Sequence, residues 1–120
     1  MEITAEVTFI GNQAVDEQTN FLLLFDESAS EDLQQVAIIQ HFLTSRNQFK
    51  LDKHAQLIID QTLYPINFVG DLVNSQLSTI GHAVLAFDKC PAEPLPNSIY
   101  LDGPMPKLHL GSKIVYQMGD

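Results

Sequence analysis

The sequence predicts an all-β fold, a small antiparallel barrel-like domain with one short helix. Three observations predict it. Apolar residues fall in short runs bounded by turn residues, the first of these runs alternates strictly with polar residues, and only one segment carries apolar residues at helical spacing. About eight short strands of this kind close most economically as a compact barrel or sandwich.

Ile3, Ala5, Val7 and Phe9 alternate with Glu2, Thr4, Glu6 and Thr8, the pattern of a half-buried strand, which stops at Gly11-Asn12. Phe21–Phe25 reads as a second, wholly apolar strand. Asp26–Asp32 reads as an acidic loop leading into a third run, Val36–His41, and Thr44–Gln48 is a polar loop. Gln56–Ile59 and Leu63–Val69 form a hairpin around Asp60-Gln-Thr62, and Pro65 places its arm at an edge or beside a bulge. Asp71 is the expected N-cap of the single helix. Leu72, Val73, Gln76, Leu77 and Ile80 recur at helical spacing, and Gly81 supplies the stop. Ala83–Phe87, Ser98–Leu101 and Lys113–Gln117 are the remaining strands, separated by a loop carrying Pro91, Pro94 and Pro96 and by the turn Asp102–Pro106.

The 120 residues make one domain, 1–120, long enough to bury about two-thirds of the surface of the unfolded chain without a metal or disulfide. The single cysteine, Cys90, has no partner in the chain, and no cysteine pair or closely spaced histidine pair suggests a metal site. The longest apolar runs fall far short of the ~20 residues of a spanning helix, and the N-terminus lacks the basic start and apolar run of a signal peptide, so a cytoplasmic location is expected. With 15 acidic against 6 basic residues, the net charge of −9 argues against nucleic acid or an anionic membrane as partner; it reads first as a soluble surface, or else as one that steers toward a basic protein surface. Phosphate-cradling glycine motifs and a Gly-x-Ser-x-Gly elbow are absent from the sequence.

From the middle of the chain onward the residues form an ordered set: Tyr64-Pro-Ile-Asn-Phe-Val-Gly70, Asn74, Leu77, Gly81-His-Ala-Val-Leu-Ala-Phe-Asp88, Pro96-Asn-Ser-Ile-Tyr100, Gly103-Pro-Met-Pro106 and Gly111-Ser-Lys-Ile114. This set resembles the IIA component of the glucitol/sorbitol phosphotransferase family, over about Ile3 to Tyr116. The resemblance implies a small barrel-like fold and a phosphocarrier role without a cofactor. A histidine would take a phosphoryl group from phospho-HPr and pass it to a cysteine of the IIB domain. The membrane-embedded IIC domain would move the polyol, and this chain would meet the membrane complex only through IIB.

Four histidines compete for that role: His41, His54, His82 and His109. A neutral imidazole suits phosphoryl carriage because its pKa lies near neutrality and its second nitrogen can be oriented by a hydrogen bond. The family resemblance places the active histidine in a His-x-His pattern at the end of the strand after the acidic loop. Here that stretch is Ile38-Ile-Gln-His-Phe42. Counting from Asp32-Leu33 puts Gln40 at the active position, and counting back from Leu51 and Tyr64-Pro65 puts Phe42 there. His41 lies between the two registers and is the candidate nucleophile once a small gap is allowed. One residue of shift sends a strand side chain to the opposite face unless a bulge intervenes. His82 is a candidate support through a hydrogen bond to His41 or its phosphoryl group, or else a structural histidine at a helix–strand junction. Thr44, with Ser45 and Arg46, is a candidate donor to phosphoryl oxygens, or else part of a solvated loop. His54 and His109 read as surface histidines. With the pattern incomplete, a non-catalytic regulatory or interaction module of the same fold is the alternative.

Overall fold

The computed structural model describes residues 1–16 and 18–119 and contains β1 (Glu2–Ile10), β2 (Phe21–Phe25), α1 (Glu31–Gln35), β3 (Ile38–Phe42), β4 (Gln56–Ile59), β5 (Thr62–Val69), α2 (Val73–Ile80), β6 (Ala83–Ala86), β7 (Ser98–Leu101) and β8 (Lys113–Gln117). The strands close into a barrel in the order β1-β3-β2-β6-β7-β5-β4-β8, with β8 returning to β1. Closure removes the unpaired edges that an open sheet would expose.

The alternation read in β1 sets its inner face. Ile3, Ala5 and Val7 are buried in the core, alongside Leu22 and Leu24 of β2, Leu57 and Ile59 of β4, Leu85 of β6, Ile99 and Leu101 of β7, and Ile114 and Tyr116 of β8. α2 lays Val73 and Leu77, both with no exposed surface, into the same core. Burying a leucine of this size contributes about 1.5–3 kcal/mol.

Several local expectations change. Six strand pairs are antiparallel, but β2 with β3 and β6 with β7 are parallel. A parallel pair needs a crossover of about a dozen residues, and the segments 26–37 and 87–97 provide the two. The first crossover, expected to be all loop, contains the one-turn helix α1. Its N-cap is Ser30, whose Oγ accepts the Leu33 N–H at 3.3 Å, and Glu31 and Asp32 lie in its first turn. At α2 the N-cap is Leu72, not Asp71, and no side chain caps the helix. Gly81 ends it as expected, left-handed at φ 62°.

The hairpin is tighter than expected. Ile59 pairs with Thr62, leaving Asp60 and Gln61 as a two-residue loop with φ of 47° and 73°. Positive φ at both positions matches the right-handed twist of the strands but strains non-glycine residues. The Asp60 carboxylate offsets this by accepting the Ser112 hydroxyl at 2.6 Å and the Lys113 N–H at 3.0 Å. Burial raises its pKa, but these hydrogen bonds together with the charges of His109 and Lys113 hold it below the usual carboxylate value. Pro65 is in no edge strand, since β5 pairs on both sides; the register shift expected nearby lies between Ile66 and Phe68.

Candidate functional site

β3 runs through the wall of the barrel, and its alternation divides the candidate residues between two faces. Gln40 is fully buried. Its Nε2 donates to the Gly81 carbonyl at 3.0 Å, and its Oε1 accepts the Tyr116 hydroxyl at 2.6 Å. Burial pushes the Tyr116 phenol above its ordinary pKa, so it stays protonated and donates. A buried amide satisfied on both ends fixes strand register more than it adds stability. Gln40→Leu should therefore cost about 2 kcal/mol, because it leaves the Tyr116 hydroxyl without an acceptor. Chemical denaturation of Gln40→Leu beside Gln40→Leu/Tyr116→Phe checks this, with part of the loss recovered in the double variant.

Phe42 packs on Phe49 and Tyr116, with ring centroids 5.9 and 6.3 Å away, and the Arg46 guanidinium lies 5.4 Å from its ring centre. His41, between the two, turns to the outside. Its side chain is 53% exposed, enough for another protein to reach. Its Nδ1 lies 3.3 Å from Glu27 Oε1. A carboxylate only accepts, so Nδ1 carries the proton and the neutral ring presents the Nε2 lone pair. Nε2 has no hydrogen-bond partner among the described residues. No bulge in β3 moves His41 to the inner face; the bulge in the β1–β3 pair falls on β1, between Val7 and Phe9. Across the outer face His41 stands opposite Glu6, whose carboxylate binds Lys113 Nζ at 3.0 Å.

His82 is buried behind the β2–β3 wall. It stacks on Phe25 at 4.2 Å, its Nδ1 donates to the Leu24 carbonyl at 3.0 Å, and its Nε2 accepts from Asn97 Nδ2 at 3.3 Å. Both nitrogens are thus engaged, and no hydrogen bond joins it to His41 among the described residues. It is tied to Gln40 only indirectly, through the Gly81 carbonyl that precedes it. Thr44 lies in the exposed bend just after β3, where its Oγ1 accepts the Thr4 N–H at 3.0 Å and keeps its hydroxyl proton for another acceptor. Ser45 is exposed.

Arg46, the only arginine of the chain, is taken up inside the fold. Nη1 binds Asp26 Oδ2 at 2.5 Å and Nη2 binds the Thr79 carbonyl at 3.2 Å. Asp26 also accepts the hydroxyl and N–H of Ser28. Burial raises the Asp26 pKa, but the Ser28 and Arg46 hydrogen bonds and the Arg46 charge outweigh it and hold the carboxyl below its ordinary value. His54 is exposed and its ring has no hydrogen bond among the described residues, whereas His109 directs Nδ1 at the Leu110 carbonyl, 2.9 Å away, and Nε2 at Asp60, 3.5 Å away. Sequence reasoning did not find Glu27, the partner that orients His41, or the pairing of Asp26 with Arg46. Among the described residues, no cluster of three or more histidine, cysteine or acidic side chains is placed to hold a metal ion.

The sequence model of the PTS system glucitol/sorbitol-specific IIA component matches residues 2–115. The chain belongs to this family. The glucitol/sorbitol-specific EIIA components of Escherichia coli K12 and Shigella flexneri are each 29% identical to this IIA component over 103 residues, which is 83% of this chain and 80% of theirs. The crystal structure of a PTS system IIA component from Enterococcus faecalis V583 superposes with a TM-score of 0.91 at 35% identity, covering 96% of this chain and 99% of that one. The eight-stranded barrel is therefore the fold of a IIA component of the phosphotransferase system. No helix among the described residues is long and apolar enough to cross a membrane.

Proposed function

We propose that this IIA component carries phosphoryl groups on Nε2 of His41, taking them from phospho-HPr and giving them to a IIB cysteine during uptake of glucitol or a related polyol. The observation that supports this most is a half-exposed imidazole whose Nδ1 is held by Glu27 while Nε2 has no hydrogen-bond partner among the described residues. The Nε2 lone pair attacks phosphorus in line, the N–P bond of the donor phosphohistidine breaks, and its electron pair returns to the donor ring. The Nδ1 proton stays against Glu27, which stabilises the positive charge that the ring gains as Nε2 bonds to phosphorus. In the second transfer a IIB thiolate attacks the same phosphorus and the pair returns to Nε2. Thr44 is the nearest hydroxyl along the chain, its oxygen accepts the Thr4 N–H, and its proton is proposed to be donated to a phosphoryl oxygen. His82 is proposed to act as a fixed support for the wall behind the site, through Gly81 and Gln40.

Two observations favour a second reading, a regulatory or interaction module that is not phosphorylated. The positions flanking His41 on the inner side of β3 hold Gln40 and Phe42, neither of which accepts a phosphoryl group on nitrogen. The outer face also sets two carboxylates, Glu6 and Glu27, beside His41, and these repel a phosphoryl dianion. Incubation with phosphoenolpyruvate, enzyme I and HPr separates the readings. An acid-labile mass gain of one phosphoryl group is the expected result. Its absence, with a second IIA protein labelled in the same mixture, assigns the module instead.

A further inference from the structure

A row of apolar side chains crosses the outer wall of the barrel over β2, β6, β7 and β5. Phe21 of β2 pairs with Ala86 of β6, Ala86 with Tyr100 of β7, and Tyr100 with Phe68 of β5, so the row stays in register over four strands. Phe21 is 44% and Phe68 36% exposed, while Tyr100 between them is buried, at 5%. Leu95 stands over the row at 58%, its loop held down by a hydrogen bond from its N–H to the Tyr100 hydroxyl at 2.9 Å. Hollows of about 260 and 230 Å³ flank Phe21 and Tyr100. Grouped exposed aromatic and aliphatic side chains of this kind mark interaction surfaces, whereas scattered ones do not.

The rim states what kind of partner fits. Asp88 borders one hollow, Asp102 follows β7 beside Phe68, and Asp52 and Asp71 line the depression that Phe68 shares with the start of α2. The hydrogen bonds to Asp88, Asp102 and Asp52 come from neutral amide groups, of Asn20, Lys89, Asn67 and His54, so their charge is not cancelled within the chain. Lys53 and Lys89 on the same rim leave it net acidic. Two copies meeting through this face would bring like charges together in addition to the overall −9 on each. A partner with basic flanks gains where a second copy loses.

We propose that the face on which Phe21, Leu95 and Phe68 stand exposed over the buried ring of Tyr100 docks a protein partner that presents an apolar ridge flanked by lysine or arginine. β2 and β3 run parallel with Phe25 beside Ile39, which puts Phe21 about 20 Å along the barrel from the level of His41. A partner seated here therefore leaves His41 accessible, and the proposal stands whether or not His41 is phosphorylated.

The probe is a synthetic amphipathic helix with a leucine and phenylalanine face flanked by lysines, compared with the same helix flanked by glutamates. Binding is read by fluorescence anisotropy and by amide shifts of the protein. The lysine helix is expected to bind with shifts centred on Phe21, Ala86, Leu95 and Tyr100, and the glutamate helix to bind at least about tenfold more weakly. Phe21→Ser/Leu95→Ser, both exposed and expected to fold, weakens the lysine helix by about tenfold or more. Leu110→Ser, exposed elsewhere, leaves it unchanged. Equal binding by the double variant, or shifts spread evenly over the acidic surface, overturns the proposal. So does a concentration-dependent dimer that Leu95→Ser abolishes, since the occupant is then a second copy.

Discussion

His41→Ala should leave the barrel folded and end phosphoryl uptake completely. The ring is half exposed and makes one side-chain hydrogen bond among the described residues, with a carboxylate that is itself 60% exposed. A surface pair of this kind contributes little, so the variant should unfold within about 0.5 kcal/mol of the parent. The chemical effect is all or none, because removal of the imidazole removes the atom that bonds to phosphorus. His54→Ala and His109→Ala should label as the parent does. Intact-mass measurement after incubation with phosphoenolpyruvate, enzyme I and HPr reads all three, and label retained in His41→Ala moves the site to another residue.

Arg46→Met should produce the largest loss of stability among the side chains around the site. Asp26 is almost wholly buried, and Arg46 supplies its only charged partner among the hydrogen bonds described. Breaking a buried pair from one side leaves an uncompensated charge, which costs about 3–5 kcal/mol in a dry site. The Arg46 side chain is 30% exposed, and solvent screening reduces this to about 2–3 kcal/mol. Methionine keeps the packing of the aliphatic stem against Phe42 and so isolates the charge. The pH dependence has a definite sign. In the parent the Asp26 carboxyl has a lowered pKa, so its contribution is complete above about pH 4 and is lost as pH falls through the lowered folded value. Without Arg46 the carboxyl is less strongly held in its charged form, so the parent and variant should differ most near neutrality and converge in acid. Urea unfolding at neutral pH and at about pH 3 checks both parts; a constant gap across that range contradicts the assignment to Asp26.

How much of this was legible in the sequence depends on how local the signal is. The inner face of β1, the presence of a hairpin after Ile59 (though not its two-residue turn) and the stop at Gly81 each follow from spacing within a few residues. The two parallel pairs do not, because a loop crossover carries no periodicity that distinguishes it from a long hairpin connection. The turn of α1 is too short for a helical repeat to register, although Ser30-Glu-Asp-Leu33 carries its capping signal. The outward direction of His41 follows from β3 alternation once Ile38 is placed in the core. The role of Gln40 does not, since its partner Tyr116 is 76 residues away. Arg46 illustrates the same limit: next to Thr44-Ser45 it reads as a free donor for phosphate, but the fold places it against a buried Asp26, 20 residues earlier.

The most direct measurement is the phosphorus-31 NMR spectrum of the phosphorylated protein, combined with nitrogen shifts of the histidine rings. With Nδ1 of His41 held by Glu27, the phosphoryl group should sit on Nε2 of His41 alone. A phosphorus atom on Nδ1 of that ring, or on any other side chain, contradicts the mechanism.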